Sequence, residues 1–110
     1  MSLFLIILAA GDSKRLKSAI PKPFNTIKNK TLLEHSLNAF NGFDEIKKTI
    51  IVYNRKHKKY INKLNLKNTI KIIGGSSRQE SAFKALKKIK KMNCKKVLIH
   101  DAARPSPPKT

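Results

Sequence analysis

The chain has 110 residues and a formal net charge of +19, from 25 lysines and arginines against 6 acidic residues. This length allows one domain with a modest core and is small for a complete enzyme. Hydrophobic residues make up 40% of the chain and fall in blocks, which argues against a disordered protein. The single cysteine, Cys94, excludes a disulfide framework and a cysteine-based metal cluster.

The positive charge has two interpretations. A field of this sign attracts nucleic acid, anionic membranes or phosphorylated substrates. However, the excess is almost all lysine, and many of the lysines fall on predicted outer helix faces, where such charge is ordinarily solvated. We favour the solvated interpretation. The apolar run at the N-terminus is too short to span a bilayer and lacks a basic n-region, so we predict a cytoplasmic protein without a membrane segment.

The first predicted element is a strand. Leu3 to Leu8 is an unbroken apolar run, which is typical of a strand buried on both faces. It leads through the small residues Ala9 to Gly11 into a segment that carries Arg15 and Lys22. Small residues let a backbone approach an anion closely, and basic side chains can surround phosphate groups. The pattern predicts a phosphate-holding loop, although it matches neither the P-loop nor G-x-G-x-x-G, and tight turns also use small residues for packing.

The middle of the chain alternates between helix and strand signals. Phe24 to Ile27 is a short apolar–polar alternation that suggests a minor strand. Thr31 and Glu34 have the spacing of a capping box, so a helix is predicted from there to a stop at Asn41-Gly42. The run Thr49 to Tyr53 predicts a second buried strand, and Lys56 to Leu64 predicts a short polar helix.

The last third repeats this alternation. Thr69 to Ile73 predicts a third strand that ends at Gly74-Gly75. Ser77 and Glu80 form a second capping-box pattern, which opens a helix that runs to about Met92. The apolar stripe predicted for this helix is Ala82, Phe83, Leu86 and Ile89. Val97 to Ile99 predicts a fourth strand that runs directly into residues 100–105.

Strands that alternate with helices predict right-handed βαβ units. The fold class is therefore α/β and Rossmann-like, with a mostly parallel sheet and helices on both faces. In the usual doubly wound order the first strand is central, strands two and three lie on one side, and strand four lies on the other. The crevice then opens at the carboxyl ends of strands one and four, where Gly11 and Asp101 would meet.

Three further groups of residues could carry chemistry. Asp101 ends a buried strand and could either hold a divalent cation or cap the following turn. Arg104 could pair with Asp101 or bind phosphate. Gly74 to Ser76 precede a capped helix, so they form either a loop that approaches an anion or base, or an ordinary left-handed turn. The three histidines show no metal-ligand spacing. His100 stands next to Asp101, and its default role is to support the site or to pack.

Four segments together resemble a known family: LAAGDSKRL at 8–16, PKPF at 21–24, GGSSRQES at 74–81 and HDAARP at 100–105. They are similar to the 2-C-methyl-D-erythritol 4-phosphate cytidylyltransferases of the non-mevalonate isoprenoid pathway, occur in that family's order and span nearly the whole chain. The resemblance implies a nucleotidyltransferase fold and transfer of CMP from CTP to methylerythritol phosphate, with release of pyrophosphate in the presence of Mg²⁺.

The resemblance also implies roles for residues of the first two segments. The backbone of Ala9, Ala10 and Gly11 would line the nucleotide. Arg15 and Lys22 would hold the triphosphate and stabilise charge while the α-phosphorus is attacked.

For the last two segments, the resemblance implies that Gly75, Ser76 and Ser81 contact the cytidine. Asp101 would bind Mg²⁺, and Ala102 would lie beside the ribose. Two further positions match the motifs and would support the site: Arg78 and Arg104.

The chain departs from the family pattern in two ways. Pro23 stands where the family commonly has Gln. The chain also stops just after HDAARP, whereas family members continue into a half that supplies most of the acceptor site and the arm of a homodimer. We therefore expect residues 1–110 to be the nucleotide-binding, N-terminal part of a single, apparently truncated nucleotidyltransferase domain, which would be a homodimer when full length.

Two alternatives stay open. The acceptor could be another polyol phosphate, such as ribitol 5-phosphate, because the residues that read the acceptor would lie in the absent half. The charge could instead mark a basic nucleic-acid-binding module. Against the second, aromatic residues make up only 6% of the chain and no base-stacking motif is present, so we expect no specific nucleic-acid partner.

Overall fold

The computed structural model describes residues 3–10, 20, 22–66, 68–92 and 95–102. Strands and helices follow one another in the order β1, β2, β3, α1, β4, α2, β5, α3 and β6. The strands are β1 Leu3–Ala9, β2 Thr26–Ile27, β3 Lys30–Thr31, β4 Ile46–Tyr53, β5 Thr69–Ile73 and β6 Lys96–Asp101. The helices are α1 Leu32–Ala39, α2 Lys58–Lys63 and α3 Arg78–Ile89, and single 3-10 turns occupy Lys22–Phe24, Arg55–His57 and Lys90–Met92.

Within the described residues, the main sheet has four strands in the order β5-β4-β1-β6, and every neighbouring pair is parallel. This is the predicted order, with the first strand central, so the doubly wound α/β topology is confirmed. Leu8 pairs with Val52 on one side and with Asp101 on the other. The carboxyl ends of three strands therefore meet at one edge of the sheet.

The core lies on both faces of this sheet, because successive side chains of a strand point to opposite sides. Leu5, Ile7 and Ala9 pack with residues of α1 and α2. Phe4, Ile6 and Leu8 pack on the other face, against Ala85 and Ile89 of α3. Both faces of β1 are covered, as its unbroken apolar sequence predicts.

The first helix begins as predicted. The Glu34 N–H donates to Thr31 Oγ1 at 3.1 Å, and the Thr31 N–H donates to Glu34 Oε1 at 2.9 Å, so both bonds of the capping box are present. The helix ends at Ala39, just before the predicted stop. The minor strand predicted over Phe24 to Ile27 is only partly right, because Phe24 belongs to a 3-10 turn and the strand is Thr26–Ile27.

The third helix begins as predicted but ends at Ile89, and a 3-10 turn occupies the last predicted residues, Lys90–Met92. Its predicted apolar stripe is wrong at two positions. Phe83 is 64% exposed and Leu86 is 40% exposed. The buried side chains are Ser81, Ala85 and Ile89, which recur every fourth residue and form one stripe. The contact of α3 with β1 and β4 selects this face, and two of its three buried residues, Ser81 and Ala85, are small.

The fourth predicted strand is present as β6 and extends beyond Val97 to Ile99 at both ends. It is an edge strand of the described sheet, and its three apolar side chains are each 36–38% exposed, so the prediction that Asp101 ends a buried strand is wrong. The strand predicted over Thr49 to Tyr53 is β4, and it likewise begins earlier than predicted, at Ile46. Within the described ranges, no helix combines the length and the apolar character that a membrane span requires.

Candidate functional site

A cavity of about 610 Å³ opens at the carboxyl edge of the sheet. All four parallel strands contribute to its wall, directly or through the residues that follow them. Its lining consists of Leu8, Ala10, Asn54, Lys56, Gly75, Ser76, Ser77, Arg78, Ser81 and Asp101. This is the edge at which open parallel sheets bind ligands.

A second cavity, of about 340 Å³, includes residues at the opposite edge of the sheet, where β4 and β5 begin. Ile46 and Thr69 line it, together with asparagines such as Asn38 and Asn65. None of the residues singled out from the sequence as site candidates lines this cavity. We therefore take the cavity at the carboxyl edge as the candidate site.

The loop before α3 packs tightly against the end of β1. A Cβ atom placed on Gly74 would lie 2.6 Å from Ser81 Oγ and 2.7 Å from the Cβ of Ala10. The Gly74 N–H donates to the carbonyl of Tyr53 at 2.8 Å. Neither Gly74 nor Gly75 has a positive φ, so the alternative of a left-handed turn is wrong. Gly74 is required here because the side chains of Ser81, Ala10 and Val52 leave no room for a Cβ atom.

Ser81 fixes the next residue of this loop. Its side chain is buried, and its Oγ accepts a hydrogen bond of 3.0 Å from the Gly75 N–H. A hydroxyl that accepts one bond keeps its own hydrogen for donation. Because Ser81 lines the cavity, that hydrogen is a candidate donor toward a ligand.

Glu80 holds the loop from the helix side. Ser76 Oγ donates to Glu80 Oε2 at 2.9 Å, the Ser76 N–H donates to the same oxygen at 3.4 Å, and Lys84 Nζ lies 3.8 Å from Oε1. The two hydrogen bonds from Ser76, and then the charge of Lys84, lower the pKa of Glu80 below its ordinary value. The predicted capping box is thus half right: the Glu80 N–H donates to Ser77 Oγ, but the carboxylate bonds Ser76 and not the backbone of Ser77.

Two residues of the cavity wall, Asn54 and Lys56, lie outside every segment that the sequence marked as part of the site. Asn54 Nδ2 donates to the carbonyl of Ala10 at 3.2 Å, and Asn54 Oδ1 accepts from the Lys56 N–H at 2.9 Å. Both Asn54 and Lys56 line the cavity. The available signal was their position directly after the strand that neighbours β1, because residues there reach the same sheet edge.

The structure brings several of the predicted site residues together and separates others. Those that line the cavity are Ala10, Gly75, Ser76, Arg78, Ser81 and Asp101. The side chains of Ala9 and Ala102 are buried in the core beside the cavity, and the Ala102 N–H donates to the carbonyl of Leu8 at 2.9 Å. Four predictions lie outside the described residues: Gly11, Arg15, Arg104 and the side chain of Lys22.

Asp101 is the one carboxylate in the cavity wall as far as it is described. No group of three or more histidine, cysteine, aspartate or glutamate side chains that could hold a metal ion occurs among the described residues. The neighbouring His100 is buried, with its ring 5.1 Å from that of Phe40. A single carboxylate fits a cation such as Mg²⁺, which takes one or two protein oxygens and completes its shell with water and substrate phosphates.

A parallel sheet in this order, with the small residue Ala10 directly after β1 and a glycine loop before a capped helix, places the chain in the Rossmann-like α/β class. The acidic tip of β6 lies in the same cleft. The chain belongs to the 2-C-methyl-D-erythritol 4-phosphate cytidylyltransferase (IspD) family, whose model matches residues 3–110. The resemblance of the four motifs is thereby confirmed.

Individual relatives agree with this assignment. The bifunctional enzyme IspD/IspF of Pelagibacter ubique (strain HTCC1062) is 51% identical over 106 residues, which are 96% of this chain and 29% of that protein. The 2-C-methyl-D-erythritol 4-phosphate cytidylyltransferase of Clostridium botulinum (strain 657 / Type Ba4) is 42% identical over 106 residues, with 92% and 46% of the two chains covered. The chain thus spans less than half the length of each of these relatives.

A solved structure shares the fold. The bifunctional IspDF of Campylobacter jejuni superposes with a TM-score of 0.77 at 30% sequence identity. The match covers 93% of this chain and 26% of that one.

Proposed function

We propose that the protein that contains this chain transfers CMP from CTP to 2-C-methyl-D-erythritol 4-phosphate. A phosphate oxygen of the acceptor would attack the α-phosphorus of CTP, the bond from that phosphorus to the β-phosphate oxygen would break, and pyrophosphate would leave. One observation supports this most strongly: described residues from three of the family's motif segments line one cavity. They are Ala10, Gly75, Ser76, Ser77, Arg78, Ser81 and Asp101.

The base would lie against the loop before α3. A ring stacked near Gly75 meets no side chain from that residue, and the Ser81 hydroxyl can donate to a carbonyl oxygen of the base. Ser76 Oγ already donates to Glu80, so toward a ligand it can only accept, for example from an exocyclic amino group. Cytosine carries both a carbonyl and an amino group on its edge, which fits one donor and one acceptor.

The triphosphate would lie across the end of β1. Asp101 would hold Mg²⁺, which supplies positive charge against the phosphate oxygens. Arg15 and Lys22 would stabilise the charge that develops at the α-phosphorus, and Arg78 and Arg104 would support the site. In-line attack at phosphorus needs positioning and electrostatic stabilisation more than covalent help from the protein.

The remaining parts of the proposal concern the whole protein. We infer that it acts as a homodimer in the cytoplasm and that Ala9 and Ala102 shape the nucleotide site from the core side. The acceptor is proposed to be methylerythritol phosphate because the matching family and the C. botulinum relative bear that name.

The test is an activity assay on the protein expressed from its complete reading frame. With CTP, Mg²⁺ and 2-C-methyl-D-erythritol 4-phosphate, pyrophosphate should be released in proportion to the acceptor added. Ribitol 5-phosphate serves as the competing acceptor, and UTP and ATP serve as competing donors. No release with any acceptor, or a clear preference for ribitol 5-phosphate, would contradict the proposal.

A further inference from the structure

The backbone of Lys22 is tied to a segment that follows β4. Lys22 begins a 3-10 turn that ends at Phe24, whose side chain is buried. The Phe24 ring stacks on Tyr60, with centroids 5.2 Å apart and planes at 20°. It also meets the edge of His57, with centroids 5.9 Å apart and planes at 76°. A short turn with a buried aromatic end has little freedom to shift along the surface.

The same segment also holds the end of β1. Asn54 uses its amide nitrogen for the carbonyl of Ala10 and its amide oxygen for the N–H of Lys56. The second bond caps the 3-10 turn Arg55–His57, which leads directly into α2. One side chain therefore joins the start of this segment to the wall of the cavity.

We propose that residues 54–60, here called the brace, form a positioning element for the nucleotide site. The brace contacts the chain at two points: Asn54 donates a hydrogen bond to the carbonyl of Ala10, and Tyr60 stacks on Phe24. These two points flank residues 11–21, the stretch in which the motifs place the phosphate contacts. Asn54 and Tyr60 are positioning residues, because the brace sets where Ala10 and the backbone of Lys22 stand relative to the rest of the cavity. This inference rests on the function proposed above.

The physical reason is that phosphoryl transfer depends on placement. Misplacing a contacting group by about 1 Å can cost on the order of 10²-fold in rate, even when the substituted residue lies away from the reacting atoms. Asn54 and Tyr60 are only half-buried, so their loss should disturb the position of their partners more than the overall stability. The brace would thus act on turnover more than on folding.

The chain offers a test substitution and a matched control for each of these two contacts. Asn54→Ser keeps an oxygen that can cap the 3-10 turn but cannot reach Ala10, whereas Asn62→Ser makes the same change at an exposed position of α2. Tyr60→Leu removes the stacking on Phe24, and Tyr60→Phe keeps it. Each variant is made in the protein expressed from its complete reading frame, and its melting temperature is measured first.

Steady-state kinetics with CTP provide the first readout. Asn54→Ser and Tyr60→Leu should lower kcat by about 10-fold, while KM for the acceptor changes by less than about twofold. Asn62→Ser and Tyr60→Phe should match the parent. Unchanged kcat in both test variants, or a loss that only parallels a lowered melting temperature, would overturn the proposal. If one test variant fails to fold, the other decides.

The second readout needs no activity. Trypsin can cut after Lys14, Arg15 and Lys17, and peptides from these sites can be quantified by mass spectrometry. Cleavage there should be several-fold faster in Asn54→Ser and Tyr60→Leu than in their controls, with sites outside residues 11–22 and outside the brace unaffected. Equal cleavage would refute the brace. If the parent itself has no CTP turnover, the proposed function fails and the proteolysis alone decides whether the brace exists.

Discussion

Replacing Gly74 by alanine should destabilise the candidate site, because Gly74 is the position where a Cβ atom has no room. The new Cβ would lie 2.6 Å from Ser81 Oγ, 2.7 Å from the Cβ of Ala10 and 2.9 Å from Cγ1 of Val52. Each contact must lengthen by roughly 0.5–1 Å to reach ordinary van der Waals separation. Two of these atoms sit on short side chains attached to the end of β1 and to α3, so relief requires backbone movement at the cavity wall.

The expected cost of this overpacking is about 1–3 kcal/mol of the free energy of unfolding. For a domain of this size, that corresponds to a fall in Tm of roughly 4–15 °C. The affinity for CTP should fall as well, because Ala10 and Ser81 both line the cavity. Differential scanning fluorimetry and isothermal titration with CTP measure the two effects.

Gly75→Ala is the matched control. The three atoms nearest to a Cβ at Gly75 all belong to the long side chain of Glu80, which can rotate away. It should therefore lower Tm much less than Gly74→Ala does. If the two variants have the same Tm as the parent, the close approach at Gly74 is not a constraint and the reasoning is refuted.

Three other predictions concern charged groups. The hydrogen bonds from Ser76 lower the pKa of Glu80 in the folded state, so the stability that Glu80 contributes is present above its ordinary pKa of 4.5 and is lost as the pH falls below it. Urea unfolding from pH 6 to pH 3 should show a weaker acid dependence in Glu80→Gln than in the parent, and identical profiles would contradict this. Asp101→Asn should raise the Mg²⁺ concentration needed for half-maximal activity at least about 10-fold, and an unchanged magnesium titration would remove the metal role. Lys22→Ala and Arg15→Ala should each lower kcat/KM on the order of 10²-fold, and near-normal turnover in both would reject their assigned role.

The sequence predicted the sheet and its ligand-binding edge because these depend on local patterns. The apolar run of β1, the β-branched run of β4 and the capping box at Thr31 each specify an element by themselves. With the elements in place, the doubly wound strand order follows from general rules of connection. Placing Asp101 near the end of β1 required nothing further.

The wrong or missed predictions concern side chains whose partners are decided by tertiary contacts and not by local sequence. Phe83 and Leu86 are apolar but exposed, because the contacts of α3 with β1 and β4 decide which helix face is buried. The sequence of α3 alone does not indicate that face. Glu80 stands at the right spacing for a capping box and bonds Ser76 instead, because the loop turns Ser76 toward it. Asn54 was missed for two reasons. Its partner Ala10 is distant in sequence, and the 3-10 turn that Asn54 caps has no strong sequence pattern.

The central claim is that CTP binds at the carboxyl edge of the sheet, between the end of β1 and the loop before α3. A crystal structure of the protein from its complete reading frame, with CTP and Mg²⁺, tests this most directly. We predict the base beside Gly75 and Ser81, and a triphosphate between Ala10 and a cation held by Asp101. A nucleotide bound elsewhere, for instance in the cavity at the start of β4 and β5, would contradict the account.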